Sequence, residues 1–145
     1  MTEENASEAP IWFWAIAIFA LIWNLTGLGS FIGLMSASEG SLLAYPAIEQ
    51  QLFRDYPVWV QIVYAVATLS GVFGSIALLL KQRWARLLFG LSVVAIIIQM
   101  IYNLIKITSL DKYSPEAVMI PVFIVVTSIF YLFFSHFSIK KKWIY

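Results

Sequence analysis

Four carboxamide side chains interrupt otherwise apolar stretches of this chain: Asn24, Gln61, Gln99 and Asn103. A carboxamide offers two donors and an acceptor, so a layer of them could hold a neutral polyhydroxylated solute by hydrogen bonds. The same groups could instead join helix to helix, at about 0.6 kcal/mol per contact on average in a membrane. Hydroxyls accompany them at Thr68, Ser70, Thr127 and Ser128. Other chemistry is missing. There are 0 cysteines, which removes disulfides, thiol chemistry and Cys-ligated metal, and 1 histidine, too few for a bis-histidine haem site. No carboxylate falls inside the apolar stretches, so proton coupling through a buried Asp or Glu is not expected. A lipid-linked transferase or phosphatase would need clustered acids or bases, and neither cluster occurs. Thr68-Leu69-Ser70-Gly71 has the outline of a nucleophile turn, with His136 the sole base. On membrane helices the two would differ in depth by about 12 Å, beyond the reach a nucleophile and base require. No enzymatic activity, cofactor or metal is expected.

The elements that must position the amides follow from where charge is excluded. The 9 Lys and Arg and 8 Asp and Glu fall in short clusters, leaving uncharged windows at 9–38, 56–80, 87–105 and 117–139. A helix needs about 20 apolar residues to cross a hydrocarbon core of about 30 Å, and a charge at its centre costs at least about 2.5 kcal/mol. The pattern predicts an all-α integral membrane four-helix bundle forming one domain, with spans at about 11–35, 57–80, 84–105 and 118–138. Composition agrees: 61% hydrophobic, 12% charged, mean hydropathy +0.86, against about 25% charged in soluble domains. The start of the chain is acidic and its apolar stretch too long for a signal peptide, so the first span is expected to be retained. Net charge of +1 offers no basic face for nucleic acid.

Only Lys81-Gln82-Arg83 separates spans 2 and 3, making them antiparallel neighbours, and Ser114-Pro115 marks a turn before span 4. The long connection between spans 1 and 2 carries Ile48, Leu52, Phe53 and Tyr56 at helical spacing, with Glu49, Gln50, Gln51, Arg54 and Asp55 on the other sides. This predicts a short amphipathic helix at about 46–56, either lying in the membrane interface or packed as a cap on the bundle. Lys81, Arg83, Arg86 and Lys140, Lys141 and Lys142 fall at one end of the bundle, against Arg54, Lys106 and Lys112 at the other. The positive-inside rule places both termini in the cytoplasm. Trp12, Trp14, Trp59, Trp84 and Trp143 stand at span ends, as an interfacial aromatic belt does.

Membrane helices associate through small residues and buried polar contacts. The helix-packing residues expected on that basis include Gly27, Gly71, Gly74 and Ser75. Gly71-x-x-Gly74 and Gly71-x-x-x-Ser75 would also suit a dimer face. Trp23 beside Asn24 lies at mid-membrane, where its indole N–H needs an acceptor such as Asn24 or a hydroxyl of span 2 or 4.

Several short motifs occur in order along nearly the whole chain: Trp23-Asn24-x-x-Gly27, Pro57-x-Trp59, Gly71-x-x-Gly74 followed by Leu78-Leu79-Leu80, and Arg83-Trp84-Ala85. In these the chain resembles a family of small four-span bacterial inner-membrane proteins commonly labelled "sugar transporter". The resemblance implies a neutral polar, sugar-like solute, with Asn24, Gln61, Gln99 and Asn103 the residues to test, and residence in the bacterial inner (cytoplasmic) membrane. Four helices rarely enclose a route by themselves, so transport would require a homo-oligomer. The alternative is a non-catalytic accessory or scaffold subunit of a membrane complex, in which the same amides are buried between helices.

Overall fold

The computed structural model describes residues 7–109 and 115–145. Asp111, Lys112 and the turn expected at Ser114 lie outside them, as do the first two glutamates of the acidic start. Among these residues six helices follow in order: α1 (Ile11–Met35), α2 (Glu39–Leu42), α3 (Ala47–Arg54), α4 (Val58–Leu79), α5 (Ala85–Ser109) and α6 (Pro115–Lys140). Four of them, α1, α4, α5 and α6, are long and apolar enough to cross a bilayer. The chain is a multi-pass membrane protein, and its outer surface shows it. Ile11, Leu87, Phe133 and Met119 are each at least two-thirds exposed, an apolar surface that water would not tolerate.

Proline sets the helix starts. Pro10, Pro46 and Pro57 each occupy the extended residue just before α1, α3 and α4, and Pro115 opens α6. Its missing N–H falls where a helix has no internal acceptor to offer. At the other ends of α4 and α6 the chain turns through lysines with positive φ, Lys81 (57°) and Lys142 (61°). In both turns the following amide reaches back five residues, Gln82 to the Ala77 carbonyl (2.8 Å) and Trp143 to the Ser138 carbonyl (3.0 Å). These are Schellman closures made without the usual glycine.

The long helices pack in chain order, α1 on α4, α4 on α5 and α5 on α6. Between α1 and α6 the ring is not closed by backbone packing. Aromatic side chains bridge the gap instead: Trp12 and Phe13 reach Phe134 at 6.0 and 5.7 Å, and Trp23 reaches Phe123 at 5.5 Å. The two chain ends and the α4–α5 turn share one end of the bundle. There Ser7 N–H donates to the Lys142 carbonyl (2.9 Å) and Tyr145 N–H to the Lys81 carbonyl (2.8 Å). This is the lysine- and arginine-rich end.

At the opposite end the α2–α3 segment forms a cap. Leu42, Leu52 and Tyr56 bury themselves against Leu34 of α1 and Val60 of α4, with Tyr45, Phe53, Tyr64 and Tyr102 around them. The segment is therefore a short helix, as its periodicity predicts, and its apolar side is turned to the bundle. A single helical turn, α2, precedes it, with Ser38 accepting from the Ser41 amide as its N-cap. Arg54 and Glu39 pair across the two pieces at 2.9 Å.

Candidate functional site

Asn24 sits in the middle of α1 and works as a peg into α4. Its Nδ2 donates to the Ala20 carbonyl (2.8 Å) and to Ser75 Oγ (3.1 Å), and Ser75 Oγ passes its own proton to the Gly71 carbonyl (2.8 Å). Its Oδ1 lies so close to Gly71 that a Cβ there would be 2.1 Å away. Only glycine admits this contact. On the far side of α4, Ser92 of α5 donates to the Ala67 carbonyl (2.8 Å), and Gly74 lets Phe89 and Leu88 of α5 approach to within 3.2–3.3 Å of where its Cβ would be. Gly27 faces the Thr68 methyl at an ordinary 3.8 Å. All four expected packing residues thus serve contacts inside one chain. The face proposed for a dimer at Gly71 and Gly74 is a correction: Asn24 and Phe89 of the same chain already fill it.

The four amides separate into two pairs. Gln61 donates to the Tyr56 carbonyl (3.1 Å), back across the start of α4. Asn103 is buried and accepts the Tyr56 hydroxyl proton (2.7 Å). Both fasten the cap, and neither lines the cleft on which the other two amides meet. Asn24 and Gln99 come together on a cleft of about 500 Å³ between α1, α4, α5 and α6, within the range of about 300–1,000 Å³ typical of small-molecule sites. Gln99 is 4% exposed and lies beside the Tyr56 hydroxyl, whose ionised form it favours, which brings the cleft up to the cap. Burial raises the Tyr56 hydroxyl above its ordinary pKa, so it stays protonated at neutral pH.

Thr26, Ser30, Tyr64 and Thr68 add hydroxyls to the cleft on α1 and α4, whereas the described side chains that α6 contributes are Met119, Ile120, Phe123 and Ile124. Among the described residues no charged side chain lines it. The sequence marks Asn24, Thr68 and Gln99 as polar residues at the right depth. It misses Tyr64, Thr26 and Ser30, because Tyr64 also reads as belt-type aromatic packing and the other two lie off the small-residue face of α1.

Two further expectations resolve differently. Trp23 does line the cleft, but its ring packs edge-on against Phe123. The Asn24 Oδ1 that would accept its indole N–H is seated against Gly71 of α4 instead, so the Trp23–Asn24 bond does not form. Ser70 and His136 are kept apart: the Ser70 hydroxyl donates to the Val66 carbonyl of its own helix, while His136 Nδ1 meets Arg86 at 3.4 Å. A second, almost wholly apolar groove runs between Ala15, Ile16, Phe19, Val126 and Phe130. Tyr131 borders it, with a buried hydroxyl that has no hydrogen-bond partner among the described residues. No family model, curated protein or solved structure matches this chain.

Proposed function

We propose that this protein binds a small uncharged solute in the α1/α4/α5/α6 cleft and carries it across, or presents it within, a bacterial inner membrane. The observation that carries the reading is the convergence of Asn24, Tyr64, Thr68 and Gln99 on one uncharged cavity in the half of the bundle under the cap. An ion would find no countercharge among the described residues of the cleft, whereas a neutral molecule with one or two hydrogen-bonding groups would find partners. The lysine-rich end, where both chain ends meet, is assigned to the cytoplasm by the positive-inside rule. The cleft then opens in the outer half of the bilayer. Passage to the other side would need a second copy to complete a route, and the resemblance to the family labelled "sugar transporter" supports a transport role.

Trp23 supplies the assay because it borders the cleft. A variant with the other five tryptophans replaced by phenylalanine, reconstituted in nanodiscs, is titrated with hexoses, alkyl glucosides and long-chain alcohols. Saturable change in Trp23 emission, lost in Gln99→Leu, supports the proposal. Emission that none of the probes moves, or that moves equally in Gln99→Leu, refutes it.

One observation favours the accessory-subunit reading: Gln61 and Asn103 are engaged in hydrogen bonds inside the chain. That reading expects a stoichiometric partner in mild-detergent purification followed by mass spectrometry, and no solute response at Trp23.

A further inference from the structure

Few hydrogen-bond donors in the cleft are free for a guest. Thr26 Oγ1 donates to the Ile22 carbonyl (2.9 Å), Ser30 Oγ to the Thr26 carbonyl (3.0 Å) and Thr68 Oγ1 to the Tyr64 carbonyl (3.0 Å). Asn24 gives its amide protons to Ala20 and Ser75. Tyr64 Oη, the Trp23 indole N–H and the Gln99 amide remain, the last beside the Tyr56 hydroxyl. A free sugar carries an oxygen on nearly every carbon, and each one left unpaired in a buried site costs about 1–3 kcal/mol. Opposite Tyr64 and Gln99 stands an apolar wall of Met119, Ile120, Phe123 and Ile124 on α6, with Ile96 and Met100 of α5 beside it. Such a cleft is polar on one side and aliphatic on the other.

The way in points to the same chemistry. The cleft's rims are exposed, Thr26 and Ser30 on α1 and Met119 (67%), Ile120 (60%) and Phe123 (59%) on α6, so its mouth is the gap between these helices. Those residues lie within membrane-crossing segments, and the mouth therefore faces lipid. On the α1–α4 side the outward end is closed. There the Tyr64 ring packs on Phe31 at 5.1 Å, Leu34 and Val60 lie beneath the cap, and no α2 or α3 side chain among the described residues lines the cleft. Pro121 lies in the middle of the α6 wall. Its missing N–H removes one helical hydrogen bond where the rim would have to give.

We infer that the cleft's ligand is an uncharged amphiphile that enters sideways from the outer leaflet between α1 and α6. Its hydroxylated or carbonyl head meets Gln99 and Tyr64, and its aliphatic part lies along Met119–Ile124. This deepens the binding role proposed above and rests on it. It replaces the free sugar implied by resemblance with a chain-bearing molecule.

A diazirine-bearing dodecanol tests the inference in nanodiscs, with the whole chain and mass-spectrometric mapping of the adducts. The expected result is labelling at Ser30 and at Met119, Ile120 or Phe123 that excess unlabelled 1-dodecanol suppresses about tenfold at about ten times its Kd. Labelling at the lipid-facing control Phe133 stays unchanged, as does the cleft signal when glucose is added. Suppression by glucose instead of dodecanol overturns lateral entry of an amphiphile but leaves solute binding standing. Labelling that neither competitor reduces, with Ser30 no different from Phe133, overturns both. Gln99→Leu separates head recognition from mere greasiness: it should raise the dodecanol concentration needed for competition about tenfold, as loss of one buried hydrogen bond near 1.4 kcal/mol implies. An unchanged competition curve overturns the assignment of the head group to Gln99.

Discussion

Replacing Gly71 by alanine tests the joint on which the cleft is built. The new Cβ would lie 2.1 Å from Asn24 Oδ1 and 2.9 Å from its Cγ, far inside van der Waals contact. Asn24 is short and held by two hydrogen bonds, so it cannot swing away without giving them up. Overpacking of this kind costs about 1–3 kcal/mol, and the lost interhelical bond adds about 0.6 kcal/mol. The prediction is a loss of about 2–3 kcal/mol in reversible unfolding from mixed micelles. The reasoning is sharper in a double-mutant cycle. In an Asn24→Ala background the obstruction is gone, and Gly71→Ala should then be neutral or gain up to about 1 kcal/mol from helix propensity. Gly29→Ala provides the control, since nothing lies within 4 Å of its added Cβ and it should likewise be neutral or gain up to about 1 kcal/mol. Equal costs for Gly71→Ala with and without Asn24, or no cost in the wild type, would refute the peg-and-notch account.

Three smaller predictions follow from features elsewhere in the fold. Tyr131→Phe removes a buried hydroxyl with no partner among the described residues and should leave stability unchanged or raise it by about 1 kcal/mol in the same unfolding assay; a clear loss would mean the hydroxyl is satisfied. Lys142 holds a left-handed conformation with φ 61°, which costs a side-chain-bearing residue about 1–2 kcal/mol, so Lys142→Gly should stabilise, by less than that once the freer unfolded chain is counted. Burial of Glu49 in the cap raises its pKa above 4.5, so the folded state holds this proton more tightly than the unfolded one. The cap should therefore be most stable at or below pH 4.5 and weaken as pH rises through the raised value. Glu49→Gln should abolish that dependence in amide exchange of α3, and a cap that tightens with rising pH contradicts the sign.

The membrane-crossing helices were legible because burying charge in lipid is so costly that charge placement alone marks them. Where the edges differ, the reason is local. α5 continues past the expected 105 to Ser109 because Lys106 lies at its end with Nζ 5.9 Å from the Tyr102 ring centroid, its long side chain reaching towards the interface. α6 begins at Pro115 rather than 118, since Glu116 in the first turn suits a helix N-terminus. The site was only half legible. Depth follows from counting residues, and depth placed all four amides sensibly. Facing does not follow: Gln61 folds back onto Tyr56 and Asn103 is claimed by the Tyr56 hydroxyl, which only the docked cap makes available. The glycines were ambiguous for a similar reason, since a Gly-x-x-Gly spacing fits a neighbour in the same chain or in another. Asn24 decides it.

Spin-label accessibility at the mouth of the cleft bears most directly on the account. The chain has no cysteine, so Ser30→Cys and Met119→Cys each give one labelled site in nanodiscs, with Phe133→Cys as the lipid-facing reference. The account predicts that both mouth sites relax with oxygen as strongly as the reference and hardly at all with a water-soluble nickel chelate. Strong relaxation by the chelate would show a mouth open to water, and protection from both agents would show α1 and α6 closed against each other. Either result contradicts a cleft that opens to lipid.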